Sequence, residues 1–334
     1  MILAGDIGGT NTRLALFEER DGKPFLREKK TYSSGAHISL EQIIQDFRRE
    51  FSSPVTRASI GIAGPVRNQR CEATNLPWIV DARDLAPVLG NVPVQLINDL
   101  EAMAHGIPAL APDDFEVIHQ GAPGARGNAC IVSLGTGLGQ AGMLWSGQRY
   151  EPFPSEGGHS SFAPATEIQM ELLRYLHRQF QHVSWERVLS GQGLLNLYHF
   201  LRDTRGGDEP EWLREEIRGG DPAAAISRAA LAGKSGLCEQ ALDLLVALCG
   251  QECGNVALKF LSAGGVYLGG GIPAKILPRL RTNTFLSGFL AKGRMRPVLE
   301  AIPVRVILND QAGLIGAAVR GTQMEQPHGA VSQP

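Results

Sequence analysis

The chain has few cysteines, and their placement excludes a common class of secreted protein. The 334 residues contain five cysteines. They are scattered and odd in number: Cys71, Cys130, Cys238, Cys249 and Cys253. Such a set argues against a disulfide framework and favours the reduced thiols of a cytoplasm. Cys249 and Cys253 are four residues apart in a helical pattern, so we expect both to be small core side chains on one helix face.

Charge bias and long apolar runs are also missing. The formal net charge is -2, from 32 Lys and Arg against 34 Asp and Glu, and the two signs are interspersed. No basic tract is offered to a nucleic acid or an anionic membrane surface. No charge-free run approaches the roughly 20 residues that span a bilayer, and no basic, cleavable leader precedes the first predicted strand. We therefore expect a cytoplasmic protein with neither nucleic-acid nor membrane partners.

The length and the order of predicted elements indicate two α/β domains. A chain of 334 residues exceeds what one hydrophobic core usually supports. Hydrophobic periodicity predicts strands and helices that alternate after an initial run of strands, an α/β layer. The main predicted segments are strands at 2–7, 12–18 and 25–33, a helix at 39–51 capped by Ser39, and, in the second half, helices near 166–182, 191–203 and 236–262.

Two glycine-rich hairpins recur in the two halves. They are "LAGDIGGTNTRLALF" at residues 3–17 and "IVSLGTGLGQAGMLW" at residues 131–145. Neither has the Lys of a Walker A loop, and neither runs from a strand into a helix as a dinucleotide fingerprint does. Glycine lets backbone N–H groups approach an anion closely and takes φ above zero at no steric cost. Facing hairpins could therefore clamp a polyphosphate, although each alone could equally be a tight β-turn.

A second recurrence lies where a strand meets a helix. "QLINDLEAMAHG" places Asn98 and Asp99 at this corner, and "VILNDQAGLIGAA" places Asn309 and Asp310 at another. Asn and Asp are favoured helix caps, so capping alone can explain both pairs. For Asp310 we expect only a structural cap, because the small residues of its helix suit a close-packed connection. Recurrence of both features in the same order predicts a duplicated fold with a cleft between the copies.

Two further features suit a nucleotide. Gly269, Gly270 and Gly271 follow the strand "GVYL" and place bare backbone at a strand's carboxyl end, where open α/β sheets bind ligands; an adenosine could lie there. Asp6 lies inside an apolar strand and needs a compensating partner. Mg²⁺ on the phosphates, reached through water, is a natural candidate because this ion keeps several of its waters.

The order of these motifs resembles a known superfamily. "GDIGGTNTRLALF", "LINDLEAMA", "IVSLGTGLGQA", "GGVYLGGGIP" and "NDQAGLIGAAV" are similar to the five motifs of the sugar kinase, actin and heat-shock chaperone ATPases. "LPWIVD", "EGGHSSFAP" and "ERVLSGQGLLNLY" resemble the bacterial ATP-dependent glucokinases within it. The resemblance covers residues 3 to 320 approximately. It implies duplicated ribonuclease H-like (actin-like ATPase) domains with an interdomain cleft: a smaller domain at 1–110 plus 303–321, a larger one at 111–302, and a flexible tail at 322–334.

The resemblance also implies a set of site residues. ATP and Mg²⁺ would be bound, with Asp6 reaching the metal indirectly through water. The hexose would lie against Asn98, Asp99, Glu156, His159 and Glu186, and Asp99 would be the catalytic base. The positions implied for ATP are Gly5, Asp6, Ile7, Gly8, Gly9, Thr10, Asn11, Gly135, Thr136, Gly137, Gly269, Gly270 and Gly271.

Simpler explanations exist for each sugar-site residue. Glu156 and His159 flank two glycines and could be the solvated ends of a turn. Glu186 precedes Arg187 and could form a surface ion pair, worth at most about 1 kcal/mol. The combination in family order favours a glucokinase that phosphorylates the 6-hydroxyl of D-glucose, feeds glycolysis and, as the resemblance implies, forms a homodimer.

Several rival functions stay open on the same fold. One is a kinase for another hexose, namely mannose, fructose or an N-acetylhexosamine. The related repressor, open reading frame and kinase (ROK) family carries a cysteine-rich zinc site after its Glu-Gly-His segment, but no cysteine lies between Cys130 and Cys238 here. Another is a non-catalytic sugar sensor. We expect no DNA-binding version, because the first residues already form the phosphate-loop strand and no helix-turn-helix precedes it.

Overall fold

The computed structural model describes residues 1–73, 76–206 and 209–324. Its strands are β1 (Ile2–Ile7), β2 (Asn11–Arg20), β3 (Lys23–Ser33), β4 (Arg57–Ile62), β5 (Val66–Arg67), β6 (Arg70–Glu72), β7 (Ile79–Asp81), β8 (Val94–Asn98), β9 (Phe115–His119), β10 (Ala129–Leu134), β11 (Leu138–Trp145), β12 (Tyr150–Ser155), β13 (Gly265–Gly269) and β14 (Val304–Ile307). Its α-helices are α1 (Leu40–Glu50), α2 (Ala82–Val88), α3 (Asp99–Gly106), α4 (Glu167–His177), α5 (Gly191–Arg205), α6 (Glu211–Gly219), α7 (Pro222–Leu231), α8 (Gly236–Phe260), α9 (Gly271–Lys275), α10 (Leu277–Leu280), α11 (Asn283–Leu290), α12 (Arg296–Glu300) and α13 (Ala312–Thr322).

The strands form a mixed α/β structure in two compact units. One unit comprises Met1–Pro112, Tyr150–Pro154 and the described residues from Asn309 on; the other comprises Asp113–Arg149 and Ser155–Leu308. Within the described residues, the strand orders are β3-β2-β1-β4-β8, β12-β11-β10-β13-β14-β9 and the small β5-β6-β7. In each large sheet an antiparallel hairpin adjoins parallel strands.

The first unit places the ends of three parallel strands together. β1 pairs in parallel with β4, and β4 with β8, so Ile7, Ile62 and Asn98 lie side by side at the carboxyl ends. Apolar residues of these strands and of α1 form the core, where Leu3, Ile60 and Phe47 are fully buried. Ser39 caps α1 by accepting from the Gln42 N–H, which confirms the predicted start of this helix.

Helices α3 and α13 pack at unusually close range. A Cβ added to Gly316 would lie 1.6 Å from the Ala102 carbonyl oxygen, and one added to Gly106 would lie 2.2 Å from that of Ala312. Only glycine permits such backbone proximity. The prediction of a close-packed small-residue helix after Asp310 is therefore confirmed, and the contact fixes the helix that begins at Asp99.

The second unit is built around the long helix α8. Among the described residues, α8 alone is long and apolar enough to cross a membrane, but 78% of its most apolar window is buried inside the protein. Cys249 and Cys253 are 1% and 0% exposed, which confirms them as core side chains. Because its apolar surface is covered by protein, α8 is a core helix of this unit.

Several sequence-based boundaries differ from the structure. The strand Val304–Ile307, assigned above to the smaller domain with residues 303–321, pairs with β13 and β9 in the six-stranded sheet. The helix predicted near 166–182 ends at His177. Helices α6 and α7, and those from α9 to α12, have no counterpart among the predicted segments. Most of the predicted tail at 322–334 lies outside the described residues, and Thr322 is still helical.

Candidate active site

The first glycine hairpin joins β1 to β2 and is anchored by a buried serine. The Gly8 N–H donates to the Asn11 carbonyl at 2.9 Å across the turn, and Thr10 and Asn11 are exposed at its tip. The Ser34 hydroxyl donates to the Gly8 carbonyl at 2.8 Å, and the Ser34 N–H donates to the Thr10 carbonyl at 2.9 Å. The Ser34 side chain is 0% exposed. Anchoring both carbonyls from outside the turn fixes its backbone.

Asn98 and Asp99 lie at the neighbouring strand end and divide two roles between them. The Asn98 side-chain oxygen accepts from the Leu100 N–H at 3.0 Å and the Glu101 N–H at 3.4 Å, so Asn98 is the cap of α3. Its Nδ2 also donates to the Gly64 carbonyl at 3.0 Å. Asp99 is the first helical residue, and its Oδ1 accepts from Leu100 at 2.9 Å. Capping therefore does not require Asp99.

Burial raises the pKa of two carboxyl groups among the predicted site residues. Burial, opposed by a hydrogen bond from the Leu100 N–H and reinforced by the negative charge of Asp6, raises the pKa of Asp99 to about 6. Burial also raises the pKa of Asp6, against the nearby positive charge of Arg13. Two mutually repelling carboxylates in a partly desolvated position are typical of a site that functions with a cation or a proton acceptor.

Asp310 is not a helix cap, so this prediction is wrong. Its carboxylate accepts from Arg13 Nη2 at 2.8 Å, and its backbone carbonyl accepts from Arg13 Nη1 at 2.8 Å. Helix α13 has no side-chain cap, and the Asn309 side chain instead accepts from the Gln311 N–H at 2.9 Å. Arg13 Nη1 also donates to Asp6 Oδ2 at 3.3 Å. Asp310 thus helps to orient the arginine that faces Asp6.

The second glycine hairpin joins β10 to β11. The Gly135 N–H donates to the Gly137 carbonyl at 2.9 Å, and the Gly135 carbonyl accepts from the Gly191 N–H at 2.9 Å, at the start of α5. Thr136 is exposed at the tip. A Cβ added to Gly137 would lie 2.5 Å from Glu186 Oε2, whereas one added to Gly135 would meet no protein atom within 4 Å. Gly137 thus permits the close contact with Glu186, whereas the backbone at Gly135 has open space beside it.

Glu186 connects this hairpin to the predicted sugar-binding residues. Its Oε2 accepts from the Leu138 N–H at 2.9 Å, while its Oε1 lies 3.9 Å from His159 Nδ1. His159 Nε2 lies 4.0 Å from Glu156 Oε2. The predicted alternative of an ion pair with Arg187 is not what forms, because the Arg187 guanidinium lies 4.1 Å above the Phe180 ring. The structure therefore brings Glu156, His159 and Glu186 into one cluster.

The glycines between Glu156 and His159 pack directly on β11. A Cβ on Gly157 would lie 2.2 Å from Gln140 Oε1, and one on Gly158 would lie 2.0 Å from the Leu138 carbonyl oxygen. This turn is therefore held by close contact with the strand that leaves the second hairpin. A cavity of about 420 Å³ opens beside it, lined by His159, Gln179, Phe180, Gln181, His182, Ser184, Glu186 and Arg187.

The third glycine corner lies beside the second hairpin. β10 and β13 pair in parallel with Ser133 opposite Gly269, so both corners leave the same edge of the sheet. Gly270 has φ +84 and would place a Cβ 2.2 Å from the Leu134 carbonyl oxygen, while Gly271 has open space around it. Gly270 is the one glycine of the predicted nucleotide set with a positive φ among the described residues. The described hairpin glycines of this set have no positive φ, so the predicted advantage of positive φ is wrong there; at Gly137 it is the close approach of Glu186 that excludes a side chain.

Sequence reasoning missed Ser34, Arg13 and Gln140. Arg13 stands opposite Asp6 in the antiparallel register of β1 and β2, so the hairpin pattern itself could have placed the two together. Ser34 is 26 residues from Gly8 along the chain, and no local pattern reports a contact of that separation. Gln140 is a polar residue between Gly139 and Ala141 in the apolar strand β11, and this could have indicated a buried amide that needs partners.

Comparisons with known proteins identify the glucokinase family. The family model described as glucokinase matches residues 3–324. The glucokinase of Nostoc punctiforme is 42% identical over 96% of this chain and 98% of its own length. A crystal structure of a glucokinase from an Antarctic psychrotroph is 30% identical, with a TM-score of 0.85 over 97% of this chain and 99% of that one. A ROK family glucokinase from Streptomyces griseus, solved with glucose and AMPPNP, shares the fold at 22% identity, with a TM-score of 0.65 and 97% and 99% coverage.

Proposed function

Because the chain belongs to the glucokinase family, we propose that it transfers the γ-phosphate of ATP to the 6-hydroxyl of D-glucose, giving glucose 6-phosphate for glycolysis and ADP. One observation carries the proposal beyond the family. Glu186 accepts from the Leu138 N–H at the end of the second glycine hairpin and also lies beside His159. A protein that binds phosphate alone has no use for a polar cluster joined to its glycine loop.

The hexose would be bound by Asn98, Asp99, Glu156, His159 and Glu186. Sugar hydroxyls donate and accept hydrogen bonds at once, so carboxylates, an amide and an imidazole together can engage each one. The Asn98 side-chain oxygen is already used by the backbone of α3, which leaves its orientation fixed before the sugar arrives. A site that hydrogen-bonds hydroxyls rejects an epimer steeply, because the epimer leaves buried polar groups unpaired.

Asp99 would accept the proton from the attacking hydroxyl. A pKa of about 6 leaves Asp99 mostly ionised at neutral pH and makes it a stronger base than an ordinary aspartate. General-base catalysis contributes a factor of roughly 10² to 10⁴. Asn98 supports this role, since as the cap of α3 it relieves Asp99 of that structural duty.

The glycine hairpins would hold the phosphates. Their backbone N–H groups and the exposed Thr10, Asn11 and Thr136 can meet the phosphoryl oxygens, where most catalysis of phosphoryl transfer is positioning and charge stabilisation. The adenosine would lie at Gly269, Gly270 and Gly271, where Gly271 has open space around it.

The residues present suit a magnesium ion. Asp6 and Asp99 are carboxylates whose charges raise each other's energy, and a cation shared through water would offset that repulsion. Asp6 would hold the ion indirectly. When bound, Mg²⁺ supplies positive charge to the phosphate oxygens.

We also propose that the two units have a common domain fold. In each large sheet an antiparallel hairpin is followed by two parallel strands, in the orders β2-β1-β4-β8 and β11-β10-β13-β14. This shared order supports duplicated ribonuclease H-like domains. The interdomain cleft, the homodimer and the cytoplasmic location stay predictions of the resemblance and the composition.

A coupled assay of ADP release tests the proposal. The protein is incubated with Mg-ATP and glucose, mannose, fructose or N-acetylglucosamine in turn, with a sugar-free control. We expect ADP release that depends on sugar and is fastest with glucose. Preference for another of these hexoses would point to the alternative kinase, and equal rates with and without sugar would refute hexose phosphorylation altogether.

A further inference from the structure

A fully buried carboxylate lies in the middle of helix α8. Glu252 is 0% exposed, and burial raises its pKa, against hydrogen bonds from Asn255 and Gln140. A carboxyl group in such a position destabilises the fold unless each oxygen has a hydrogen-bond donor. Glu252 contributes neither to the glycine hairpins nor to the proposed sugar contacts, so its retention in the core needs another explanation.

Each oxygen of Glu252 is paired with a side-chain amide. Oε1 accepts from Gln140 Nε2 at 2.8 Å, and Oε2 accepts from Asn255 Nδ2 at 2.8 Å. The orientation of Asn255 is fixed in turn, because its Oδ1 accepts from Lys292 Nζ at 2.7 Å. An ionised carboxylate only accepts hydrogen bonds, so both amides must turn their NH₂ groups toward Glu252.

This orientation determines what Gln140 presents to the sugar loop. With its NH₂ group facing Glu252, the Gln140 Oε1 atom faces Gly157, where an added Cβ would lie only 2.2 Å from it. The backbone of Gln140 also accepts from the Ser155 hydroxyl at 3.0 Å, and that hydroxyl accepts from the Gly157 N–H at 3.2 Å. Gln140 therefore contacts the turn that carries Glu156 and His159 through both its side chain and its backbone.

We propose that Glu252 is a positioning residue for hexose binding, which fixes the turn carrying Glu156 and His159 by setting the orientation of the Gln140 amide. The inference rests on the proposed function, since it concerns the affinity of the same sugar site. Its chemistry is specific to a carboxylate at position 252. An amide at position 252 would have one donor group and one acceptor atom in place of two acceptors. Because Lys292 donates to the Asn255 oxygen, the Asn255 NH₂ group still points at position 252.

The isosteric variant Glu252→Gln makes this consequence measurable. Its oxygen must face Asn255, so its NH₂ group must face Gln140, which then has to rotate and direct its own NH₂ toward Gly157. An NH₂ group is larger than the oxygen that it replaces, and the space beside the Gly157 Cα is too small even for a methyl group, so we expect the turn to shift. We expect the KM for glucose to rise roughly tenfold or more, while the KM for ATP stays within about threefold.

Exchange of the two groups provides the rescue. In the double variant Glu252→Gln with Gln140→Glu, the amide at 252 donates to a carboxylate at 140, whose second oxygen faces Gly157 as in the native protein. We expect the KM for glucose to return to within about threefold of the native value. The control is Asp243→Asn, the same change on the same helix, at a carboxylate paired with Arg279 at 3.2 Å; it should leave both KM values unchanged.

The outcomes separate this inference from the function on which it rests. Native protein that phosphorylates no hexose would refute the function. Active native protein together with a folded Glu252→Gln whose glucose KM is unchanged would refute the inference alone, as would a double variant no better than the single one. If Glu252→Gln does not fold, Gln140→Asn decides: its shorter side chain withdraws from Gly157, and an unchanged glucose KM would again overturn the proposal.

Discussion

The Glu186 carboxylate accepts a hydrogen bond from the Leu138 N–H at 2.9 Å. This contact joins a residue proposed to bind sugar to the end of the proposed phosphate hairpin. The second oxygen of the same carboxylate faces His159 at 3.9 Å. One side chain therefore contacts both the hairpin backbone and His159. Substitutions that keep only one of these two contacts should show what each contributes.

Glu186→Gln and Glu186→Ala are expected to differ in kind. The glutamine variant retains an oxygen for the Leu138 N–H but loses the charge, so its KM for glucose should rise while its KM for ATP changes little. The alanine variant leaves that N–H without its acceptor, so both KM values should rise and the free energy of unfolding should fall by about 1 kcal/mol or more. Steady-state kinetics and denaturant unfolding measure these quantities. Identical kinetics for the two variants would contradict the shared role.

Gly135→Ala tests whether the second hairpin is open for a ligand. A Cβ at Gly135 meets no protein atom within 4 Å, so the variant should fold with an unchanged melting temperature. Its affinity for ATP should nevertheless fall roughly tenfold, because the methyl group occupies space proposed for a phosphate. Gly236→Ala is the control: its Cβ also has open space, at the start of α8. Normal ATP affinity in Gly135→Ala would remove this hairpin from the nucleotide site.

How far the sequence predicts this molecule depends on the separation of the residues involved. The hairpins, the cap Ser39 and the core cysteines follow from local pattern, and the structure confirms them. The strand at Val304–Ile307 has a plain β pattern, but its sheet is decided by pairing with β13, which no local signal reports. Helix α7, "PAAAISRAAL", consists mostly of small residues and has a weak apolar stripe, so periodicity does not reveal it.

At the two strand-helix corners, the sequence alone does not predict which polar side chain caps the helix. Capping alone could explain both Asn-Asp pairs, because both residue types cap helices. In the structure Asn98 caps α3, while Asp310 pairs with Arg13. Backbone dihedral angles and neighbours distant in sequence decide which of two adjacent polar side chains caps a helix. Residue types alone report neither of these.

Asp310→Ala should have small effects. The Asp310 side chain is 73% exposed in its ion pair with Arg13, and an exposed pair contributes at most about 1 kcal/mol. Arg13 retains its hydrogen bonds to the carbonyl of residue 310 and to Asp6. We therefore expect turnover within about threefold of the native value. Loss of most activity in a variant with normal thermal stability would instead place Asp310 in the catalytic machinery.

Asp99 should also affect stability in a pH-dependent way. Its pKa rises from 3.8 to about 6 on folding, so between these pH values the folded state holds more protons than the unfolded chain. The contribution of Asp99 to the free energy of unfolding therefore decreases as pH rises from about 4 to about 6. Asp99→Asn removes this effect and should be more stable than the native protein at pH 7, by up to about 3 kcal/mol. The raised pKa would be contradicted if the variant and the native protein had equal free energies of unfolding at pH 7 and differed more at pH 4.

The most direct test of the account compares glucose binding and turnover in Asp99→Asn. Asparagine matches the shape of aspartate and can still hydrogen-bond a hydroxyl, but it cannot accept the proton. Calorimetric titration should show glucose affinity within about tenfold of the native protein, while the coupled assay shows turnover reduced by roughly 10² to 10⁴. Near-native turnover in a variant that binds glucose normally would show that Asp99 is not the base.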